Sequence, residues 1–294
     1  MSIAINARMY RTRTGRKQIT ELYDMALQRF PVAYESRFVA TRYGHTHMLI
    51  CGREDAPPLV LVHGASINAL VWAPQVEALA EHYRIYIPDI PGEGGKSQPV
   101  HLSRRNDDHV KWLVDVLDAL RLERPAIGGI SLGGWLALMM GFRRPERVSR
   151  IIALCPAGIS HVSLRFLLNA APISMFPTRA TAEHFLRAMT YKKNPLNTEF
   201  IDWITTIFTN VRMNSSIPRR FRDAELKRVK VPTLIMLAEH EILHQAHPTA
   251  KRAHRLIPHA QIEIVPECSH SLNSERAEVV NAHLMQFLTE TMED

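Results

Sequence analysis

The stretch Ala126-Ile127-Gly128-Gly129-Ile130-Ser131-Leu132-Gly133-Gly134-Trp135 decides the fold. Residues 126–130 read as a buried strand, and 135–142 continue as a helix. Between them sits the pattern Gly129-x-Ser131-x-Gly133. A strand that turns straight into a helix lifts one side chain to the apex of a strained corner. The residues two before and two after that apex crowd the turn, so glycine is needed at both. The helix that follows aims its first N–H groups at the same point, which favours a developing negative charge. The spacing therefore predicts a presented, nucleophilic hydroxyl on Ser131.

The same rhythm runs outward from this corner. Apolar strand runs fall at 59–62, 84–88, 150–154, 233–237 and 261–265, and helical patterns lie between them at 73–82, 107–120, 133–142, 246–256 and 275–290. Strands that read as continuous apolar runs are buried on both faces, and their alternation with helices implies an α/β fold with a parallel sheet. Two further strand candidates, 37–41 and 47–51, flank a Tyr43-Gly44 turn. Ahead of them, Ile19, Leu22, Tyr23, Ala26, Leu27 and Phe30 give residues 15–30 an amphipathic helical spacing that Pro31 stops. Residues 159–228 carry no strand pattern. They read as helices separated by Pro172, Pro177, Pro195 and Pro218. The chain thus divides into an N-terminal extension (1–33), an α/β core (34–158 and 229–294) and an all-helical cap (159–228).

Composition excludes several classes. The net charge of +7 is scattered, its densest cluster is the short run Arg219-Arg220-Phe221-Arg222, and no nucleic-acid motif accompanies it. No run of 18 apolar residues exists to span a membrane. The first 18 residues lack the apolar centre of a secretory signal. Cys51, Cys155 and Cys268 are odd in number and widely spaced, which argues against a disulfide framework or a zinc site and fits a reducing, cytoplasmic setting.

A serine hydroxyl needs a base and an acid to orient it, and in this architecture they follow it in the order acid, base, on loops after later strands. After 233–237 come Ala238-Glu239-His240-Glu241; after 261–265 come Pro266-Glu267-Cys268-Ser269-His270. His270 is the expected base. Glu241 is the expected acid, with Glu239 as its alternative. The earlier acid position, Cys155-Pro156-Ala157-Gly158, has no carboxylate. The oxyanion needs two donors. Leu132 N–H is one, and Ala65 N–H is the other, aimed inward by a turn at Gly64. His63 reads as structural. No cofactor or metal is called for.

Together these residues resemble the α/β-hydrolase superfamily over about residues 36–290. His63-Gly64-Ala65 matches its H-G-x loop. Asp89-Ile90-Pro91-Gly92-Glu93-Gly94-Gly95-Lys96-Ser97 resembles its D-x-P-G-x-G-x-S loop with one residue more. Ser269-His270 stands for its G-H, and Glu275 for the acid often found five positions on. Gly95-Lys96-Ser97 also imitates a phosphate loop, but Ile90 stands where that motif needs glycine. Ser131 at the elbow, rather than aspartate, favours acyl over alkyl transfer. The resemblance is to bacterial carboxylesterases with a glutamate acid, which implies a mostly parallel eight-stranded sheet. The serine macrolide esterases, which open antibiotic lactones, look like neighbours. Small-molecule esters or lactones, bulky or hydrophobic, are the expected substrates, because the cap carries Phe166, Leu167, Phe176, Phe185, Trp203 and Phe208. A C–C hydrolase or lyase with the same triad, and a non-catalytic binding protein on this scaffold, are the alternatives. The N-terminal helix is expected on the sheet edge, on the cap, or in a homodimer contact.

Overall fold

The computed structural model describes residues 9–290 apart from 213 and 215. The first eight residues, on which part of the signal-peptide argument rests, lie outside that range. Eight strands form one sheet: β1 Tyr34–Thr41, β2 Gly44–Cys51, β3 Pro58–Val62, β4 Arg84–Pro88, β5 Ala126–Ile130, β6 Ile151–Leu154, β7 Thr233–Ala238 and β8 Gln261–Val265, in the order β1-β2-β4-β3-β5-β6-β7-β8. From β4 through β8 every pairing is parallel, while β2 is antiparallel to both β1 and β4. β1 and β2 are longer than expected because they form a regular hairpin through Gly44, whose φ of 97° suits glycine.

The helices are α1 Arg13–Leu27, α2 Ala73–Leu79, α3 Asp108–Ala119, α4 Leu132–Arg143, α5 Leu164–Met175, α6 Arg179–Ala188, α7 Thr198–Asn210, α8 Asp223–Leu226, α9 Ala246–Leu256, α10 Leu272–Glu275 and α11 Ala277–Thr289. None is long and apolar enough to cross a membrane among the described residues. The expected single helix 275–290 is broken at Arg276, whose extended φ of −134° separates α10 from α11.

Period-two alternation sends strand side chains into two cores. Val60, Val62, Ile127, Ala153 and Ile235 enter one; Leu59, Leu61, Ile130, Ile152 and Met236 enter the other. A third core belongs to the insertion, where Ile173, Phe185, Leu186, Ile204, Ile207 and Phe208 pack together. Met9 and Ile19 join this third core, whereas Tyr23 and Leu27 reach the sheet. The N-terminal helix therefore bridges insertion and sheet, and an isolated bridge between Tyr10 and Val211 closes the junction. The expected boundary at 228 falls too late. Phe221 and Leu226 are already in the main core, with Phe221 stacked on Trp135 at 6.1 Å.

Candidate active site

Ser131 sits between β5 and α4 with φ 56° and ψ −109°, a strained conformation for a side chain with a Cβ. Its backbone is held from three sides. Its N–H donates to Leu154 O at 2.9 Å, and its carbonyl accepts Trp135 N–H at 2.9 Å and Ala157 N–H at 3.1 Å. The flanking glycines are steric necessities. A Cβ on Gly129 would lie 2.2 Å from the Gly133 carbonyl carbon, and one on Gly133 would lie 2.1 Å from Val62 O. Both obstacles are backbone, which cannot move aside.

Glu241 and His270 leave the ends of the neighbouring strands β7 and β8. His270 Nδ1 lies 2.8 and 2.9 Å from the two Glu241 oxygens. Glu241 also accepts Leu243 N–H at 2.7 Å. Glu239 is exposed and takes the Glu267 N–H at 3.1 Å instead, so Glu241 alone of the two meets the imidazole. Burial would push the Glu241 carboxyl up; the His270 charge and hydrogen bond, with His244 and the Cys155 thiol, outweigh it and hold it at about 2. An ionised Glu241 only accepts, so Nδ1 carries the imidazole proton and Nε2 is left free to act as a base. Burial and then the Glu241 charge raise the Cys155 thiol well above its ordinary value, so it stays protonated. Donor atoms of Cys155, Glu241 and His270 lie within 4.8 Å of one another. Within this cluster the Glu241 carboxylate is already engaged by His270 Nδ1 and Leu243 N–H. Cys155 occupies the acid position after β6, and its contact was invisible in a sequence searched for carboxylates.

Because β5, β6, β7 and β8 are parallel neighbours, the loops carrying Ser131, Cys155, Glu241 and His270 share one edge of the sheet. Among the described residues Ser131 Oγ makes no hydrogen bond to His270. Such contacts are often long in unliganded sites and tighten on substrate.

On the other side of Ser131 stands the loop after β3. A Cβ on Gly64 would lie 3.5 Å from Ser131 Cβ and 3.3 Å from Ile67 Cδ1, which places this loop directly beside the nucleophile. The turn expected there falls two residues later, on Ser66 with φ 56°. Glu93 holds it by accepting Ser66 N–H at 2.8 Å. The Glu93 carboxylate is buried against Arg104 at 2.5 Å, and Arg104 also donates to Asn214 O and Ser216 O. Burial opposes ionisation of Glu93, but Arg104 and the Ser66 N–H prevail and lower its carboxyl. His63 is structural in its contacts: Nδ1 meets Gly64 O at 2.7 Å and Nε2 accepts Ile90 N–H at 2.8 Å. Leu132 opens α4, whose first-turn N–H groups have no acceptor within the helix.

Residues 59–283 match the alpha/beta hydrolase family. The carboxylesterase YbfK of Bacillus subtilis is 33% identical over 275 residues, covering 91% of this chain and 92% of its own. The naproxen esterase structure from the same organism superposes with a TM-score of 0.87 at 31% identity, over 95% of this chain and 99% of its own. The chain belongs to the alpha/beta hydrolase family. Within it, the chain stands with the carboxylesterases. The enol-lactonase from Burkholderia xenovorans, at 20% identity and a TM-score of 0.69, shares the fold.

In this hydrolase the insertion meets the loops at the edge that carries Ser131. Ser163 Oγ donates to Ile242 O at 2.5 Å, and Ser163 N to Leu243 O at 2.8 Å. Glu275 accepts Tyr191 N–H at 2.8 Å, Asn194 Nδ2 at 2.7 Å and Ser269 N–H at 3.0 Å, which ties the insertion to the residue before His270. Of its large apolar side chains, Phe185 and Phe208 are buried in its own core, Phe166 and Trp203 are half-buried, and Leu167 and Phe176 are exposed. A cleft of about 550 Å³ lies elsewhere, between β1 and α3 beside Arg42 and Asp115.

Proposed function

We propose that this hydrolase cleaves carboxylic esters through an acyl-enzyme on Ser131. Ser131 Oγ attacks the ester carbonyl while His270 Nε2 takes its proton and passes it to the leaving alkoxide. Glu241 holds the imidazole in the tautomer that leaves Nε2 basic, and stabilises its charged form. Leu132 N–H and Ala65 N–H receive the oxyanion. Water activated by His270 then releases the acid. The observation that carries this reading is the bidentate approach of Glu241 to His270, on the edge where the strained Ser131 is presented. Ser131→Ala lowers kcat by about five to six orders of magnitude. Residual ester hydrolysis within a hundredfold of wild type overturns the assignment.

Residues 159–220 act as the cap, and its half-buried Phe166 and Trp203 favour bulky or hydrophobic acyl and alkoxy groups, lactones included. Comparing an acetate ester, an arylpropionate ester and a macrolide lactone tests the preference. A strong preference for acetate refutes it. The carboxylesterases that resemble this chain along nearly its whole length support the ester class.

A further inference from the structure

We propose that Ser36, His47 and Asp89 form a second nucleophilic relay, open to solvent on the outer hairpin of the sheet. It accepts an acyl or phosphonyl group from activated aryl esters and organophosphorus fluorides. Ser36 Oγ lies 2.9 Å from His47 Nε2, and His47 Nδ1 lies 2.8 Å from Asp89 Oδ2. The three residues come from β1, β2 and the end of β4, and none belongs to the Ser131 site.

Polarity in this relay is set by Asp89. Its carboxylate is fully buried and also accepts Ala69 N–H and Lys96 N–H, each at 2.9 Å. Burial opposes its ionisation, yet the His47 hydrogen bond and charge, with His63 and the Lys96 N–H, keep the carboxyl below its ordinary range. A charged Asp89 accepts only, so the neutral imidazole carries its proton on Nδ1 and turns the Nε2 lone pair to Ser36. The serine must then be the donor, as a general-base pair requires. The ring cannot swing away: Phe38 lies against it at 5.1 Å and Tyr23 edge-on at 5.6 Å.

The surroundings suit an aryl reagent. Tyr34, Ser36 and Phe38 alternate along β1 and share one face. Tyr34 and Phe38 remain 38% and 55% exposed, so two aromatic rings flank an exposed hydroxyl. Among the described residues β1 pairs only with β2, and its residues 34–38 are exposed. In the reaction, Ser36 Oγ bonds to the acyl carbon or phosphorus, and the bond to aryloxide or fluoride breaks. The hydroxyl proton moves to Nε2 and on to the leaving group. No helix starts beside Ser36 among the described residues, in contrast with Ser131 at the head of α4. The adduct therefore forms only from good leaving groups, and it persists.

The test uses the full chain carrying Ser131→Ala, treated separately with excess 4-nitrophenyl acetate and with a fluorophosphonate, then digested and mapped by peptide mass. We expect one adduct per chain, on Ser36, formed at least tenfold more slowly after His47→Gln and lost after Ser36→Ala. No adduct on Ser36, or adducts spread over surface serines and lysines and unchanged by His47→Gln, overturns the proposal. The Ser36→Ala and His47→Gln single variants, with Ser131 intact, serve as fold controls through labelling of Ser131. Labelling of wild-type Ser131 reports on the esterase site and labelling of Ser36 on the relay, so either reading fails without the other.

Discussion

Exchanging Glu241 for glutamine keeps the volume of the side chain and removes its charge. Two groups compete for what remains: His270 Nδ1 at 2.8 and 2.9 Å, and Leu243 N–H at 2.7 Å. The oxygen that accepts Leu243 N–H also lies 2.8 Å from Nδ1, so an amide that keeps its oxygen there sets its nitrogen on the other position, 2.9 Å from Nδ1, where a donor opposes the Nδ1 proton. With the carboxylate charge gone and a donor beside Nδ1, the tautomer that carries its proton on Nε2, the nitrogen needed as the base, gains population. A tautomer fixed the wrong way by the equivalent aspartate-to-asparagine change in a serine protease costs about 10⁴ in kcat. We expect Glu241→Gln to lose about 10³- to 10⁴-fold in kcat, with KM within about threefold, in initial-rate assays on an aryl ester. Glu239→Gln, at an exposed site, stays near wild type. Stability adds a second readout. Glu241 is held at about 2 against an ordinary 4.5, which corresponds to about 3 kcal/mol. Because the folded value is the lower one, this contribution is present above about pH 4.5 and is lost as the pH falls toward 2. In urea titrations the deficit of Glu241→Gln should be largest at pH 7 and shrink by pH 3. Activity of Glu241→Gln within tenfold of wild type, or equal damage from Glu239→Gln, would refute the argument.

Two further predictions concern the frame around Ser131. Gly133→Ala puts a Cβ 2.1 Å from Val62 O in the middle of the sheet and should cost about 3 kcal/mol or prevent folding; Gly141→Ala, on the same helix, meets the side-chain tip of Ile151 at 2.3 Å and a Val229 methyl at 3.3 Å but no backbone, and should cost less, as paired urea denaturation curves would show. Glu93→Gln strands the buried Arg104 charge and should lose about 3 kcal/mol along with kcat, since Ser66 N–H and Arg104 then compete for one amide oxygen, whereas Glu93→Gln with Arg104→Met should regain stability.

Much of the fold was legible because it depends on periodicity. Six strands and the helices between them announce themselves as apolar runs and 3.6-residue patterns, and β1–β2 needed only a Gly44 turn. The elbow was legible because its glycines answer to local sterics. His270 and Glu241 were placed by chain order alone. What escaped has no period. Glu93 and Arg104 find each other across a loop, Cys155 looks like a core residue until it faces Glu241, and Ser66 takes the left-handed turn that a reader assigns to the neighbouring glycine. The insertion's end was misplaced because Phe221 is as apolar as the residues before it, and only its stacking on Trp135 shows which core it joins.

The bridge made by α1 bears on how the chain is born. Met9 and Ile19 leave the ribosome well before the side chains that share their core, which lie between Ile173 and Val211. At about 5–20 residues per second, those partners appear roughly 10 to 40 s later. During that interval α1 can meet the turn Ala69–Trp72 and set Tyr23 against His47, while its larger contact, with α7, is not yet made. Chaperone capture, or proteolysis near Arg13–Leu27, should therefore be most frequent on chains arrested before residue 211, and fall once α7 has emerged.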